Sequence, residues 1–222
     1  MQIGNPSYKK CPHCGQQNAY YPGPYFIHHY EFTEWSDGET FEELPCLKNT
    51  YLQKCNLCNE FYWFTQKLGG MSFEDYVYAA EYFENKYSIR NSINFIYKLR
   101  NKKRLIYIRT NILRKYNNQI RIHPLSKGDK IKTPISVEKK TIFENNAKIL
   151  IELLTEIKSD DFFLLAELNR NVGNFEEAKR ILNQMPNSYK KDLLFQEINK
   201  KNCEVITVTQ TSPKRQSDLN FI

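Results

Sequence analysis

CPHCG at residues 11–15 and CNLC at residues 55–58 are the two stretches of the sequence that decide the fold. In each, two residues separate two cysteines, a spacing that wraps a tight turn and directs both thiolates at one ion. Four thiolates complete the tetrahedral coordination that Zn²⁺ prefers in structural sites. We therefore predict one structural zinc ion bound by Cys11, Cys14, Cys55 and Cys58, contributing free energy to folding.

The chain between the two cysteine pairs is longer than the usual ribbon spacing of about 15–20 residues. A β-hairpin inserted between the pairs accounts for the excess, because ligand geometry is local to each turn. Asp37-Gly38 marks that hairpin, and the sequence predicts a tight type I′ turn with both residues at positive φ. Basic residues beside the cysteine pairs, Lys9, Lys10 and Lys54, offset the negative charge of a tetrathiolate zinc centre.

A redox site is the first alternative to the zinc site. The tetrapeptide at residues 11–14 resembles the active site of periplasmic disulfide oxidoreductases, in which a helix N-terminus depresses the pKa of the first thiol. Such a site follows a strand and opens a helix, whereas residues 15–18 continue as turn-like sequence. It also leaves the second cysteine pair unexplained. A catalytic zinc is disfavoured as well, because four thiolates leave no open position for water.

The remaining cysteines, Cys46 and Cys203, are predicted to be small buried apolar side chains rather than ligands. An enzyme centred on His28 and His29, with Glu31 or Asp37 as an acid–base partner, is a further alternative. We favour ordinary strand histidines, since no nucleophile, phosphate loop, HExxH motif or Ser-His-Asp set accompanies them. The sequence therefore predicts a protein that is not an enzyme.

The N-terminal part is predicted to be β-structure, with strands at residues 25–32, 51–55 and 61–64. After residues 69–70 the apolar residues recur with the 3.6-residue period of an α-helix. Ser72 and Asp75 form a capping box at the start of a first helix, residues 89–96 mark a second, and residues 105–116 a third, with a break at 101–103. Residues 123–140 contain Pro124, Gly128 and Pro134 and are predicted to be a linker.

A second set of helices follows the linker. Thr141 and Glu144 are predicted to cap a helix that runs to Ile157, and Asp160 to cap the next one, at residues 162–171. Gly173 occupies the left-handed position that ends that helix, and the following helix starts at Asn174 and ends before Pro186. A last helix at 188–200 and a short strand at 204–208 precede a polar tail.

Basic side chains are concentrated in the middle of the chain. The 222 residues carry a net charge of +7, yet residues 98–132 alone hold twelve basic residues and one acidic residue. The basic residues are interspersed with Tyr97, Tyr107 and Tyr116. In such a pattern the basic side chains can contact phosphates and the tyrosine rings can stack on bases. Leu105, Ile108, Ile112 and Tyr116 would face inward and the charges outward, which an ordinary solvated helix also shows. Nucleic-acid binding therefore remains the alternative function.

Residues 163–182 resemble one tetratricopeptide helical hairpin. Leu165 and Ala166 match the first helix, Gly173 the turn, and the second helix is matched by Phe175, Ala178 and Leu182. Asn169 stands where an aromatic residue is usual, and no second clear copy is present. The helices at 142–157 and 188–200 must therefore supply its packing surfaces.

Four stretches together resemble an uncharacterised bacterial family that joins an N-terminal zinc ribbon to a C-terminal tetratricopeptide-like helical region. They are residues 35–38, the second cysteine pair with the aromatic run 61–64, residues 107–117, and residues 166–175. The resemblance implies an architecture and no particular reaction. We expect an α+β protein with a zinc-ribbon β domain (1–70), a basic helical segment (71–122), a linker (123–140), a tetratricopeptide-like helical region (141–208) and a disordered tail (209–222).

From these features we predict a non-catalytic adaptor that binds one Zn²⁺ and an unidentified protein partner, with nucleic acid as the alternative partner. No apolar run is long enough for a membrane span, and residues 1–10 lack the apolar core of a signal peptide. We expect a cytoplasmic protein, because thiols remain reduced there. The sequence does not specify the oligomeric state.

Overall fold

The fold is available as a computed structural model, which describes residues 7–20, 32–38, 40–41, 51–64, 71–90, 95–121 and 134–211. These residues form mainly α-helices, with a few short antiparallel strands, in agreement with the predicted α+β class. The helices are α1 (Phe73–Arg90), α2 (Phe95–Asn117), α3 (Val137–Glu156), α4 (Phe162–Asn171), α5 (Phe175–Leu182) and α6 (Tyr189–Asn199). The strands are β1 (Ser7–Lys10), β2 (Gln17–Tyr20), β3 (Phe32–Trp35), β4 (Thr40–Phe41), β5 (Tyr51–Lys54), β6 (Phe61–Phe64) and β7 (Thr207–Thr211).

The strands form three small antiparallel sheets. Strands β1 and β2 make one hairpin and β5 and β6 another, while β3 lies between β4 and β7 in a three-stranded sheet. Strand β7 comes from the far end of the chain and pairs Phe32 with Thr211 and Trp35 with Thr207. The predicted strand at 204–208 therefore starts later and continues three residues into the predicted tail. Residues 212–222 lie outside the described residues.

The hairpin between the cysteine pairs is present, but its predicted turn type is wrong. Glu34 pairs with Thr40, so the connection is longer than two residues. Gly38 has a φ of 70° and its N–H donates to the Trp35 carbonyl at 2.9 Å, whereas Asp37 is not at positive φ. The reason lies in Asp37, whose carboxylate is buried against α2 and fixes this turn through contacts that are distant in sequence.

Helices α1 and α2 form the middle of the described chain, and their boundaries differ from the predicted ones. The capping box of α1 is confirmed, because the Asp75 N–H donates to Ser72 Oγ at 3.0 Å and the Ser72 N–H to Asp75 Oδ2 at 3.3 Å. The predicted break at 101–103 is wrong, since α2 is continuous from Phe95 to Asn117. Asn101 is itself buried there, so packing outweighs its weak helix propensity.

The start of α3 was also predicted incorrectly. Ser136 caps the helix by accepting from the Lys139 N–H at 3.2 Å, and residues 137–140 of the predicted linker are helical. Thr141 lies inside the helix, where its hydroxyl donates to the Val137 carbonyl at 3.0 Å. The chain thus carries two sequences suited to capping within six residues, and the first one is used.

The C-terminal helices agree closely with the prediction. Helix α4 has the predicted bounds, although its N-cap is Asp161 rather than Asp160, accepting from the Leu164 N–H at 3.0 Å. Gly173 adopts the predicted left-handed conformation, with a φ of 81°. Ser188 caps α6.

The larger of two apolar clusters runs from the β-hairpin of β5 and β6 through all six helices. It includes Leu52 and Phe61 from the hairpin, Phe83 and Ile108 from α1 and α2, and Leu168 from α4. The inward-facing residues predicted for α2, namely Leu105, Ile108, Ile112 and Tyr116, are all buried. Within the described part of the chain, every helix is too short or too polar to cross a membrane.

Candidate metal centre

The two cysteine pairs sit on two turns of matching geometry, one at the end of each small hairpin. In the first, the Gly15 N–H donates to the Cys11 carbonyl at 2.9 Å, and in the second the Asn59 N–H donates to the Cys55 carbonyl at 3.0 Å. The residue after each pair is left-handed, with a φ of 74° at Gly15 and 57° at Asn59. Gly and Asn are the residues that adopt this conformation most readily, so the local sequence determines both turns.

The turns bring all four predicted ligand sulfurs together, within 4.8 Å of one another. The sulfurs of Cys11 and Cys58 are 3.8 Å apart, and those of Cys14 and Cys55 are 3.7 Å apart. A disulfide requires a separation of about 2.05 Å, so neither pair of sulfurs is bonded as a disulfide. With Zn–S bonds of about 2.3 Å, the sulfurs of a tetrahedral site lie about 3.8 Å apart. The spacing therefore fits a tetrahedral tetrathiolate metal site.

Hydrogen bonds and burial shift the pKa values of the Cys55 and Cys58 thiols in opposite directions. The backbone N–H groups of Cys58 and Leu57 lower the pKa of Cys55 to about 6. The Glu60 N–H also lowers the pKa of Cys58, but burial and the neighbouring sulfurs of Cys14, Cys55 and Cys11 outweigh it and raise that pKa to about 12. Four thiolates this close repel one another, and a divalent cation among them removes that repulsion.

Burial of the site is one-sided. The side chains of Cys11 and Cys55 are 2% and 0% exposed and pack with Tyr62, whereas Cys14 is exposed and Cys58 half-buried. A metal ion here would be screened from solvent by the protein on one side only. Residues 11–15 connect two strands, so the helix N-terminus that the redox interpretation requires is absent from this described turn.

Aromatic residues of β6 attach the site to the helices. The Phe61 ring lies 5.7 Å from the rings of both Tyr78 and Tyr82 on α1, and the Trp63 ring lies 5.5 Å from the Tyr107 ring on α2. From the other turn, the His13 ring nitrogen Nε2 lies 3.3 Å from the Phe61 carbonyl oxygen. The aromatic run after the second cysteine pair therefore anchors the candidate site to the apolar core.

An ion pair links the second cysteine turn to the start of α1. Lys54, which precedes Cys55, donates to Asp75 Oδ1 at 2.7 Å, and each side chain is 30% exposed. The Lys54 ammonium lowers the pKa of Asp75, with burial opposing it and the Ser72 hydroxyl and N–H assisting. The positive charge of Lys54, which was predicted to offset the charge of the metal site, is therefore also paired with Asp75. Lys10 is exposed.

We expect Asp75→Asn to lower the free energy of unfolding by about 0.5–1 kcal/mol at neutral pH. Because the folded pKa of Asp75 is depressed, its contribution is complete above the unfolded value of about 3.9 and disappears as the pH falls through the folded value. Urea denaturation across this range should show the variant and the wild type converging in acid. Glu81→Gln, on an exposed position of the same helix, is the matched control. A difference that stays constant with pH would contradict the assignment.

The remaining predicted site residues do not join the cluster. Cys203 is exposed, which makes its predicted burial wrong, and it is outside the group of four sulfurs. The reason is that Cys203 lies on a surface segment, where its backbone carbonyl, and not its thiol, accepts a hydrogen bond from Asn171 Nδ2 at 3.1 Å. His28, His29 and Cys46 lie outside the described residues.

The basic segment of α2 is largely engaged within the protein. Arg109 is buried and contacts Glu84 and the Asn146 side chain, while Lys102 pairs with Glu156 and Arg104 lies 5.1 Å from the centre of the Trp63 ring. Arg121 is also buried, against Asp37 and the Trp35 ring. The expectation that these charges face outward is therefore wrong for Arg109 and Arg121. The exposed basic residues of this helix are Lys98, Arg100 and Lys103.

A buried polar network that the sequence did not predict joins three parts of the chain. They are the turn after β3 (residues 36–38, called the β3 turn), helix α4, and the segment before β7 (residues 202–206). Ser36 Oγ donates to Glu167 Oε1 at 2.6 Å, and Arg170 donates to both Glu167 oxygens at 2.7 and 2.9 Å. Arg170 also donates to the carbonyls of Asn202 and Glu204. The only signal in the sequence was that residues 35–38 and 166–175 are among the four stretches on which the expected resemblance rests.

Comparisons of the chain with protein-family models, with curated proteins and with solved structures give no significant match.

Proposed function

We propose that Cys11, Cys14, Cys55 and Cys58 bind one structural Zn²⁺ and that the protein is a non-catalytic adaptor built on this centre. The observation that carries the proposal is the sulfur spacing, 3.7 and 3.8 Å across the two turns, which matches the edge of a tetrathiolate zinc site. The other part of the proposal, binding of a protein partner, draws on the arrangement of the helices.

The donor set supports a structural role for the metal. Four sulfurs fill a tetrahedral shell and leave no position at which a bound water could be activated. Thiolate ligands favour Zn²⁺ over Mg²⁺ or Ca²⁺, which prefer oxygen. Reduced thiols at such a centre suit a reducing compartment, and we place the protein in the cytoplasm on that basis.

The packing of α4 and α5 supports the adaptor role and the tetratricopeptide-like interpretation. The small side chain of Ala166 is 0% exposed, as is that of Ala178, which lets the two helices approach closely. Helix α3 packs against α4, and α6 packs against α5. This arrangement also supports membership of the ribbon-plus-helix family that the sequence resembles.

Zinc content and thiol reactivity test the metal part of the proposal. Protein purified without chelator or added metal is expected to contain one zinc per chain by elemental analysis. In the native state Cys203 should react rapidly with a thiol reagent, because it is exposed, whereas the four ligand thiols should react only after unfolding or chelation. Absence of zinc together with a fast-reacting Cys11 would overturn the proposal and favour a redox site.

A further inference from the structure

A cavity of about 310 Å³ lies where several distant parts of the chain meet. It is lined by β3 and the β3 turn, by α2, by the start of α4, and by the chain that leads into α6. Its apolar wall consists of Phe163, Leu164 and Met185, which are partly buried and pack against the apolar core. A cavity of this volume suits a small organic molecule, and the packing of its wall keeps it formed.

One guanidinium in the lining has no counter-charge. Arg114, on α2, is half-buried and donates from one terminal nitrogen to the Gly38 carbonyl at 2.8 Å. Its Nε atom is buried and finds no hydrogen-bond acceptor in the described part of the chain. Among the described residues, no carboxylate pairs with this side chain. Because a buried donor without an acceptor costs free energy, the Nε atom indicates a place for an acceptor from outside the chain.

The other charged residues of the lining are already engaged. Glu34 accepts from Lys190 Nζ at 2.6 and 2.7 Å, so these two charges compensate each other. Asp37 is buried in an ion pair with Arg121, and Asp161 caps α4 by accepting from a backbone N–H. The guanidinium on α2 is therefore the positive charge in this cavity that a ligand can compensate.

The shape and the number of charges favour a carboxylate over a phosphate. A guanidinium is a planar fork that binds either group through paired hydrogen bonds. A second negative charge on the ligand would be repelled by Glu34 and Asp161, which both line the cavity. Ser188 adds a neutral donor, because its oxygen accepts from the Lys191 N–H at 3.3 Å while its O–H donates to no described residue. A single carboxylate satisfies these groups.

We propose that this cavity binds a small organic molecule that carries one carboxylate on an apolar body. The carboxylate accepts hydrogen bonds from Arg114, including the buried Nε, and the apolar body lies against Phe163, Leu164 and Met185. The site goes beyond the proposed adaptor role and does not depend on the metal centre.

Isothermal titration calorimetry of the full-length, zinc-loaded protein tests the class of ligand without any substitution. Isocaproate, a branched aliphatic carboxylate, is expected to bind at millimolar concentrations. Isocaproamide has the same shape without the charge and should bind at least about tenfold more weakly, because a hydrogen bond to a charged group is lost. Acetate should also bind at least about tenfold more weakly, since it has no apolar body to bury. Inorganic phosphate should not displace isocaproate.

A substitution on α2 tests the location of the site. Arg114→Gln should weaken binding of isocaproate about tenfold or more and leave binding of isocaproamide nearly unchanged. Arg100→Gln is the matched control, because Arg100 is an exposed arginine of the same helix and does not line the cavity. Circular dichroism checks that both variants retain their helices.

Leucine distinguishes two sources of such a carboxylate, since it is isocaproate with an added ammonium group. Tighter binding of leucine than of isocaproate, lost in Asp161→Ser, would identify the ligands as α-amino acids. Serine retains the cap of α4 and removes only the charge. Weaker binding of leucine would identify them as simple carboxylic acids, and either result supports the site.

Equal binding of isocaproate and its amide, or no binding of isocaproate at millimolar concentrations, would overturn the proposal. Wild-type affinity for isocaproate in Arg114→Gln would place the ligand elsewhere and would also overturn it. The zinc centre is judged separately, by metal content.

Discussion

Cys55→Ser is expected to abolish zinc binding and to lower the thermal midpoint of unfolding by about 10 °C or more. Cys55 is fully buried, so neither water nor the shorter serine hydroxyl can replace its sulfur at the same distance. In zinc-finger peptides, structural zinc contributes an apparent binding free energy of about 10–16 kcal/mol, all of it lost when the folded state no longer holds the ion. Elemental analysis and differential scanning calorimetry measure the two effects.

Replacing the other ligands should give a graded series. Cys11 is buried like Cys55, whereas Cys14 is exposed and water can occupy the position of its sulfur. We expect all four serine variants to lose zinc affinity, with larger losses of stability at Cys11 and Cys55 than at Cys14. Cys203→Ser is the control and should retain full zinc content. Wild-type zinc content and stability in the four ligand variants would refute the assignment.

The cysteine site could be predicted because its determinants are local. Each pair of ligands is separated by two residues, and the left-handed residue after each pair, Gly15 or Asn59, is of a type that accepts this conformation. The bounds of β6 and α4 were also predictable, since an aromatic run and a helical apolar pattern need no distant partner. The proposal of zinc rather than another metal comes from ligand chemistry alone.

Competing local signals explain the errors in the helices. Ser136 and Thr141 can each cap a helix, and propensity does not rank them. Contacts beyond the local sequence accompany the earlier start: Lys139, in the first turn of α3, pairs with Glu74 at 2.8 Å. In α2, Asn101 has a weak helical preference, but its burial stabilises a continuous helix.

The buried polar residues could not be predicted because each depends on a distant partner. A charged side chain is rarely buried unless it is paired, and a sequence does not show which pairs form. Ser36 and Glu167 are 131 residues apart, and Arg121 meets Asp37 across 84 residues. Arg121 therefore looked like part of a phosphate-binding surface, although it is buried within the fold.

The ion pair of Glu167 and Arg170 is the second feature with a large expected effect. Both side chains are 0% exposed, and the Ile206 N–H donates to Ser36 Oγ, which in turn donates to Glu167. The pair thus connects the β3 turn and the segment before β7 to α4. Removal of one partner leaves a buried charge without compensation, and this is the reason that such changes destabilise strongly.

We expect Arg170→Ala to lower the free energy of unfolding by about 3–5 kcal/mol. The chain provides a matched control in Glu177 and Arg180, which have the same types and spacing on α5 but are 43% and 65% exposed. Arg180→Ala should leave the denaturation midpoint nearly unchanged, because solvent screens that pair. Urea denaturation of both variants measures the two changes in the free energy of unfolding.

A double-mutant cycle separates the pair from its surroundings. If Arg170 acts mainly by compensating the Glu167 carboxylate, adding Glu167→Gln to Arg170→Ala should restore part of the lost stability, since the buried charge is then removed. If instead Arg170 acts mainly through the carbonyls of Asn202 and Glu204, the second change should restore nothing. Equal small effects of Arg170→Ala and Arg180→Ala would contradict the burial of the pair. Partial rescue would show that Arg170 stabilises the contact between α4 and the β3 turn mainly by compensating the charge of Glu167.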